Sequence, residues 1–244
     1  MKIIESKYVN FREVGTIKTL VVVGHPQLAD SGTQQFLKVA AELPLVTWHP
    51  VSEPVAIEQE QQLLQQADRI ILQFPLYWYS APALLKNWLD QVLTRQFAYP
   101  AAGGNLVGKS LGIVVTLGSP ARQFKAGGDE QFTISELMAP FQALANKLKM
   151  NYLPTFVVDQ FGYQSETEKA KLLIDYQRYL TQAPLGHFKA KSDWLIEQLR
   201  LQLAVAPAEQ QQQLNLILTQ LQSNQDELDD LQANLKLVQD MEDD

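Results

Sequence analysis

Short, mostly apolar runs recur along the chain from Thr19 onward, and each is followed by a helical pattern. The runs cover residues 20–23, 45–48, 69–74, 111–116 and 155–158. The helical patterns cover residues 31–42, 57–66, 81–94, 134–149 and 166–180. A run that is apolar at nearly every position is typical of a strand buried on both faces of a parallel sheet. Strands that alternate with helices therefore predict a doubly wound α/β sheet of five parallel strands.

The chain changes character beyond Lys189, where glutamine and leucine dominate and no further strand is predicted. From Pro207 the apolar residues follow a heptad repeat, which predicts a coiled-coil seam of about four heptads. One seam position holds Leu214, Leu221, Leu228 and Leu235, and the other holds Ile217, Asn224, Leu231 and Val238. We therefore divide the chain into an N-terminal extension (residues 1–17), an α/β domain (residues 18–189) and a helical tail (residues 190–244).

The apolar stripe of the tail helix has to be buried against something. Strict heptad spacing favours pairing with another chain, because docking on a globular body usually needs a wider apolar face. We therefore expect a homodimer or a higher homo-oligomer, or a protein partner bound through residues 207–244. Two alternatives stay open, in which the helix folds back on the α/β body or forms a hairpin with residues 190–205. Asn224 at a seam position would cost stability but help to fix the register.

The charge of the chain is concentrated in its tail. Residues 222–244 contain eight acids and one lysine, and the net charge of the whole chain is -7, so the remainder is close to neutral. A chain without a basic face does not suit a nucleic-acid ligand. There is no cysteine, which excludes a disulfide framework, a thiolate metal site and a cysteine nucleophile. No apolar run reaches the length of a membrane span and the charged N-terminus does not suit a signal peptide, so we expect a cytoplasmic protein without membrane insertion.

Doubly wound sheets bind ligands at the carboxyl ends of their strands, so the loops after the strands are the candidate sites. The loop after the first strand contains His25, and Ser31 and Thr33 stand at the start of the following helix. Hydroxyls and free N–H groups at a helix N-terminus suit a phosphate. The loop lacks the lysine and the spacing of an ATPase P-loop. The alternative is that Ser31 only caps the helix and that His25 is a structural loop residue.

Three consecutive aromatic residues, Tyr77, Trp78 and Tyr79, follow the third strand. They are difficult to bury on one side of a loop, whereas large aromatic side chains pack well on a flat heteroaromatic ring. A packed loop cluster or a dimer interface is the alternative. The loop after the fourth strand, residues 116–120, is a turn of mostly small residues whose N–H groups could approach the polar edge of a ligand.

At these loops the sequence resembles the flavodoxin-like NAD(P)H:quinone oxidoreductases, which include ancillary proteins of potassium-efflux systems and general-stress quinone reductases. The resemblance is carried by residues 24–26 with Ser31, by residues 73–93 (QFPLYWYSAPALLKNWLDQVL) and by residues 132–141 (FTISELMAPF). It covers about residues 18–180 and implies a flavodoxin-like fold with strand order 2-1-3-4-5. It also implies a bound flavin and NAD(P)H as co-substrate. FMN is preferred to FAD, because no clear adenine site is visible.

The resemblance implies a set of flavin-binding residues. The phosphate would lie on His25, Ser31, Gly32, Thr33 and Gln34, and the ring system on Pro75, Leu76, Tyr77, Trp78 and Tyr79, with Thr116, Leu117, Gly118 and Ser119 along its polar edge. The flavin would perform the chemistry in a ping-pong reaction, in which a small-molecule acceptor such as a quinone takes two electrons after NAD(P)⁺ has left. No side chain is identified with certainty as catalytic.

The sequence departs from the family pattern in three places. Residues 116–119 read Thr-Leu-Gly-Ser where the family often has Thr-Thr-Gly-Gly. Phe124 and Glu130, near the acceptor slot, stand where some relatives have a tyrosine and a histidine, and Gln34 stands where an asparagine is expected. Without a hydroxyl or an imidazole at positions 124 and 130, the sequence supports fast quinone reduction less strongly than it supports flavin binding. Two hypotheses follow: a flavin-dependent quinone reductase, whose acceptor could also be an azo compound, and a flavin-binding regulatory or ancillary protein that acts through a partner.

Overall fold

The computed structural model of the chain describes residues 17–182 and 188–242. All of the predicted N-terminal extension except Ile17, and the side chain of Val238, lie outside the described parts. The described residues up to Thr181 form one compact unit and those from Gln182 onward form a second.

The first unit is built on a parallel sheet in which β1 occupies a central position. The strands are β1 (Thr19–Val23), β2 (Val46–Pro50), β3 (Arg69–Pro75), β4 (Ser110–Leu117), β5 (Asn151–Tyr152) and β6 (Phe156–Asp159). Their order is β2-β1-β3-β4, and both β5 and β6 pair with β4. Every residue of β1 and β3 is buried, as the continuous apolar runs predict. The doubly wound sheet is therefore confirmed.

The predicted fifth strand is interrupted in the structure. β5 continues the sheet at the start of β4, and β6 continues it at the end of β4. Pro154 lies between them and has no N–H group to donate to the ladder. Two short strands with a proline-containing break therefore take the place of one.

Helices connect the strands and cover the sheet. They are α1 (Gly32–Ala40), α2 (Ile57–Gln66), α3 (Ala83–Val92), α4 (Arg95–Ala98), α5 (Ile134–Leu137), α6 (Ala139–Lys147) and α7 (Glu166–Thr181). The helix predicted over residues 134–149 is divided into α5 and α6, because Pro140 cannot donate to the carbonyl of Glu136. Thr133 and Glu136 form a capping box at the start of α5.

A buried polar cluster joins β2, α2 and α3. Glu60 on α2 is only 6% exposed, and its Oε2 accepts a hydrogen bond from Trp88 Nε1 on α3 at 2.9 Å. His49 Nε2 on β2 lies 2.9 and 2.8 Å from the two carboxylate oxygens of Glu60. α3 begins shortly after the loop that contains Tyr77, Trp78 and Tyr79, so this cluster anchors the helix that follows that loop.

The second unit contains two helices, α8 (Phe188–Val205) and α9 (Ala208–Glu242), which form an antiparallel hairpin. Lys189 at the start of α8 pairs with Asp229 of α9 at 2.6 Å, and Gln225 Nε2 donates to Asp193 Oδ1 at 2.5 Å. The hairpin with residues 190–205, which the sequence left as an alternative, is therefore present. None of the described helices is both long and apolar enough to span a bilayer.

Candidate functional site

The loops after β1, β3 and β4 meet at one edge of the sheet. Val23 and Gln73 are register partners at the ends of β1 and β3, and Pro75 and Thr116 are partners at the ends of β3 and β4. Backbone hydrogen bonds continue beyond the strands: Gly24 N donates to Gln73 O at 2.8 Å, and Leu76 N donates to Thr116 O at 2.9 Å. The three predicted ligand loops are therefore neighbours in space.

The start of α1 combines a capped helix end with unused donors. Ser31 is the N-cap of α1, and its Oγ accepts from Gln34 N at 3.3 Å. The structure thus places Ser31 in the capping role. The N–H groups of Gly32 and Thr33 have no acceptor among the hydrogen bonds of the described residues, and Gly32 is exposed. These two donors at the positive end of the helix dipole suit an anionic group.

The side chain of Gln34 points into the core and not toward this loop. It is fully buried, and its Oε1 accepts a hydrogen bond from Gln73 Nε2 at 2.6 Å. The Oε1 of Gln73 in turn accepts from the hydroxyl of Tyr176 on α7 at 2.7 Å. Burial raises the pKa of Tyr176 well above its ordinary value, so this phenol stays a donor. The network joins α1, β3 and α7 directly beneath the loops.

His25 links the loop after β1, which we call the phosphate loop, to the loop after β3 that contains Tyr77, Trp78 and Tyr79, which we call the aromatic loop. Its Nδ1 accepts a hydrogen bond from Gln27 N at 3.1 Å, and its ring lies edge-on to that of Tyr77 with centroids 6.5 Å apart. Partial burial lowers the pKa of His25, so the imidazole is neutral near pH 7. His25 would therefore meet an anionic ligand as a neutral hydrogen-bonding group.

The aromatic loop is a tight turn in an unfavourable backbone conformation. Tyr77 and Ser80 exchange both backbone hydrogen bonds, at 2.9 and 3.1 Å, around Trp78 and Tyr79. Trp78 and Tyr79 have φ values of 49° and 64°, a region that large side chains rarely occupy. Trp78 is nevertheless 93% exposed. Backbone strain that holds a bare indole ring in solvent at the end of a strand indicates a binding surface.

The rest of the predicted ring-binding set lies along the same edge. Pro75 is buried at the end of β3 and Leu76 is half-buried. Leu117 is also buried, so only its main chain faces the loop, whereas Gly118 is exposed with nothing within 4 Å of the place where a Cβ would stand. Thr116 and Ser119 are half-buried. Within this loop the main chain at Gly118 is therefore accessible to the polar edge of a ligand.

The two residues expected near the acceptor slot have different positions. Phe124 is buried and belongs to the core cluster. Glu130 lies on the loop after β4 and accepts a hydrogen bond from the hydroxyl of Tyr79 at 2.9 Å. This contact raises the pKa of Tyr79. The Tyr79–Glu130 contact joins the aromatic loop to the loop that follows β4.

Two supporting residues were missed by the sequence analysis. Asp159, at the carboxyl end of β6, accepts a hydrogen bond from Ala121 N at 2.7 Å and so holds the loop after β4. The available signal was a polar residue directly after the apolar run over residues 155–158. Gly24 packs so closely on α3 that a Cβ would lie 2.5 Å from Leu85 Cβ, which only the folded chain reveals.

Known proteins share this fold. The family described as a flavodoxin-like fold matches residues 17–182. The chain resembles an NADPH-quinone reductase from P. pentosaceus, with 53% identity, a TM-score of 0.66, and coverage of 70% of this chain and 100% of that one. It also resembles general stress protein 14 of Treponema denticola, solved in complex with FMN, with 30% identity, a TM-score of 0.61 and coverage of 67% and 97%.

A further relative is the glutathione-regulated potassium-efflux system ancillary protein KefG of Cronobacter sakazakii. It is 36% identical over 171 residues, which are 68% of this chain and 93% of KefG. The sheet order, the loops at its carboxyl edge and the family match over residues 17–182 agree, and the chain belongs to the flavodoxin-like fold family.

Proposed function

We propose that the protein is a flavin-dependent NAD(P)H oxidoreductase that transfers two electrons to a quinone or a similar electrophile. The observation that carries the proposal is the strained, exposed aromatic turn at the same edge of the sheet as Gly32 and Thr33, whose N–H groups donate to no acceptor among the described residues. A planar ring with a phosphate tail matches that pair of features. The similarity to an NADPH-quinone reductase, and to a protein solved with FMN, supports it.

The residues present fit FMN. Gly32 and Thr33 would bind the phosphate through their N–H groups, with the Ser31 hydroxyl and neutral His25 beside them. Trp78 and its neighbours would cover the ring, and the exposed backbone at Gly118 would face the polar edge. When bound, the flavin supplies the centre that accepts a hydride and passes two electrons on. We propose that both substrates use the same exposed slot in turn, so that the oxidised nicotinamide leaves before the acceptor binds.

An anaerobic titration tests this function. Protein purified with excess FMN should be yellow, should bleach on addition of NADPH and should regain its colour when a quinone is added. Protein that never retains FMN contradicts the cofactor assignment. Protein that binds FMN but does not bleach with either NADPH or NADH contradicts the oxidoreductase assignment.

The second candidate function is that of a flavin-binding ancillary protein that acts through a partner. The similarity to KefG favours it. So does the phenylalanine at position 124, because it has no hydroxyl that could offset charge on a bound acceptor. Such a protein would be yellow but would turn over slowly with every acceptor. Bleaching by NADPH followed by slow recolouring with all quinones would support this second function.

Replacing Trp78 by glycine should weaken FMN binding by about 1–3 kcal/mol, or about 5–150-fold, because the largest exposed stacking surface is lost. The stability of the protein without flavin should be unchanged or raised, since glycine removes the cost of a positive φ. Fluorescence titration and thermal unfolding measure the two effects. Trp78→Phe is the control and should retain most of the affinity. Equal affinities for all three proteins would show that Trp78 does not cover the ring.

Replacing Glu130 by glutamine should raise the ratio of the rate with an anionic quinone to the rate with a neutral quinone by about 2–5-fold. The carboxylate beside Tyr79 repels an anionic substrate, and the effect is modest because the site is open to solvent. The relative kcat/KM values for a sulfonated and an unsulfonated quinone measure this. Asp129→Asn is the matched control, since Asp129 contacts Gln123 instead of Tyr79. The same shift in both variants would point to overall charge and not to the Tyr79–Glu130 contact.

A further inference from the structure

The α8–α9 hairpin leaves half of the heptad stripe uncovered. The α9 face that carries Gln225 contacts α8, and Leu214, Leu218, Leu221 and Leu228 on that face are half-buried. The other seam position points away from α8: Ile217 is 50% exposed and Leu231 is 53% exposed. Leu235 is 61% exposed, because α9 has 35 residues and extends past the start of α8, which has 18. α9 thus exposes three large apolar side chains of the heptad repeat, Ile217, Leu231 and Leu235, that α8 does not cover.

We propose that this exposed side binds the same side of a second copy in antiparallel orientation, so that two α8–α9 hairpins form a four-helix bundle. A helix in such a bundle buries a stripe wider than a two-stranded seam, which explains why α8 covers only one side of the repeat. The remaining side, marked by Ile217, Leu231 and Leu235, is left for the second hairpin.

When a second copy of α9 lies antiparallel to the first and is centred on the same residue, the seam positions of one copy lie opposite the seam positions of the other. In that register Ile217 lies level with Leu235 of the second copy, Leu221 with Leu231, and Asn224 with Leu228. Leu221 and Leu228 are half-buried and lie at the edge between the α8 face and the exposed side, so they would contact both α8 and the second copy. The twofold axis then passes near Asp226, close to the midpoint of the helix over residues 208–242. Both copies use one surface, as a symmetric dimer requires. Asp226 itself lies on the opposite side of the helix from the seam and stays in solvent.

Charge selects the antiparallel orientation over the parallel one. In α9, residues 208–225 contain a single charged residue, Glu209, whereas residues 226–242 contain six acids and one lysine. A parallel pair would place the two acidic halves side by side, where like charges repel. An antiparallel pair places each acidic half beside the nearly neutral, glutamine-rich half of the other copy. The charge distribution therefore favours the antiparallel orientation of the second copy.

Cysteine cross-linking of the full-length protein tests the register directly, because the natural chain contains no cysteine. Ile217→Cys and Leu235→Cys are prepared separately and treated with a short bis-maleimide cross-linker, alone and mixed. In the antiparallel register the two positions face each other, while two copies of residue 217 are about 27 Å apart along the helix axis. We expect covalent dimers in the mixture and at least about 10-fold less in either variant alone.

The controls separate pairing from chance encounters. Leu216→Cys, at a position 67% exposed but off the seam, should give no more cross-linking with Leu235→Cys than with itself. Adding Leu231→Asp to both cysteine variants should abolish the dimer, and circular dichroism checks that the helices remain. Efficient cross-linking of Ile217→Cys with itself would show parallel pairing and overturn the proposal. No cross-linking in the mixture would overturn it as well.

Discussion

Replacing Ser31 by aspartate should lower the affinity for FMN by about 100-fold, or about 3 kcal/mol, while the affinity for riboflavin changes by less than about threefold. Ser31 caps α1 beside the free N–H groups of Gly32 and Thr33, where the phosphate is expected. Aspartate is as good an N-cap as serine, so the helix start should be preserved. Its carboxylate, however, occupies the positive end of the helix dipole and repels a phosphate.

The comparison of FMN with riboflavin, which has no phosphate, isolates this effect from any change in fold. Fluorescence quenching gives both affinities, and thermal unfolding of the flavin-free protein reports on the cap. Ser31→Ala is the control, because it removes the cap hydrogen bond to Gln34 N without adding charge. Equal losses for FMN and riboflavin in Ser31→Asp would show that Ser31 acts as a helix cap alone and that the phosphate lies elsewhere.

The sheet could be predicted from the sequence because its strands are buried on both faces. β1 and β3 are apolar at almost every position for that reason, and their ends set the positions of the ligand loops. The interruption at Pro154 and the split beside Pro140 were visible as residues, but their consequences depend on which N–H groups the fold needs. The strand order and the convergence of the loops therefore follow from the hydrophobic pattern of the sequence. The breaks at Pro154 and Pro140 depend instead on the hydrogen bonds that the fold requires at those positions.

The orientation of single side chains could not be predicted in the same way. Gln34 follows the phosphate loop in sequence, but the helical turn directs its side chain into the core, where Gln73 binds it. The positive φ values of Trp78 and Tyr79 arise from a two-residue turn that no propensity favours for aromatic residues. The Tyr79–Glu130 contact joins residues 51 positions apart. Each of these depends on tertiary structure.

Removing the carboxylate of Glu60 should destabilise the first unit by about 2–4 kcal/mol, a large share of the 5–15 kcal/mol typical of a domain. In Glu60→Ala, the indole N–H of Trp88, which is buried from water, and Nε2 of the half-buried His49 both lose their partner. The truncated side chain also leaves a cavity between α2 and α3. Urea unfolding measures the loss.

Two variants show whether the effect belongs to the buried cluster. Glu58→Ala, on the same helix but exposed, should cost no more than about 0.5 kcal/mol. Glu60→Gln should cost less than half as much as Glu60→Ala, because the amide oxygen can still accept from Trp88 and the amide group can still form a hydrogen bond with Nε2 of His49. Since Trp88 lies on the helix that follows the aromatic turn, Glu60→Ala should also weaken FMN binding at temperatures where the unit remains folded. A Glu60→Ala protein as stable as Glu58→Ala would show that the cluster contributes nothing net, and that apolar packing alone holds α3 against the sheet.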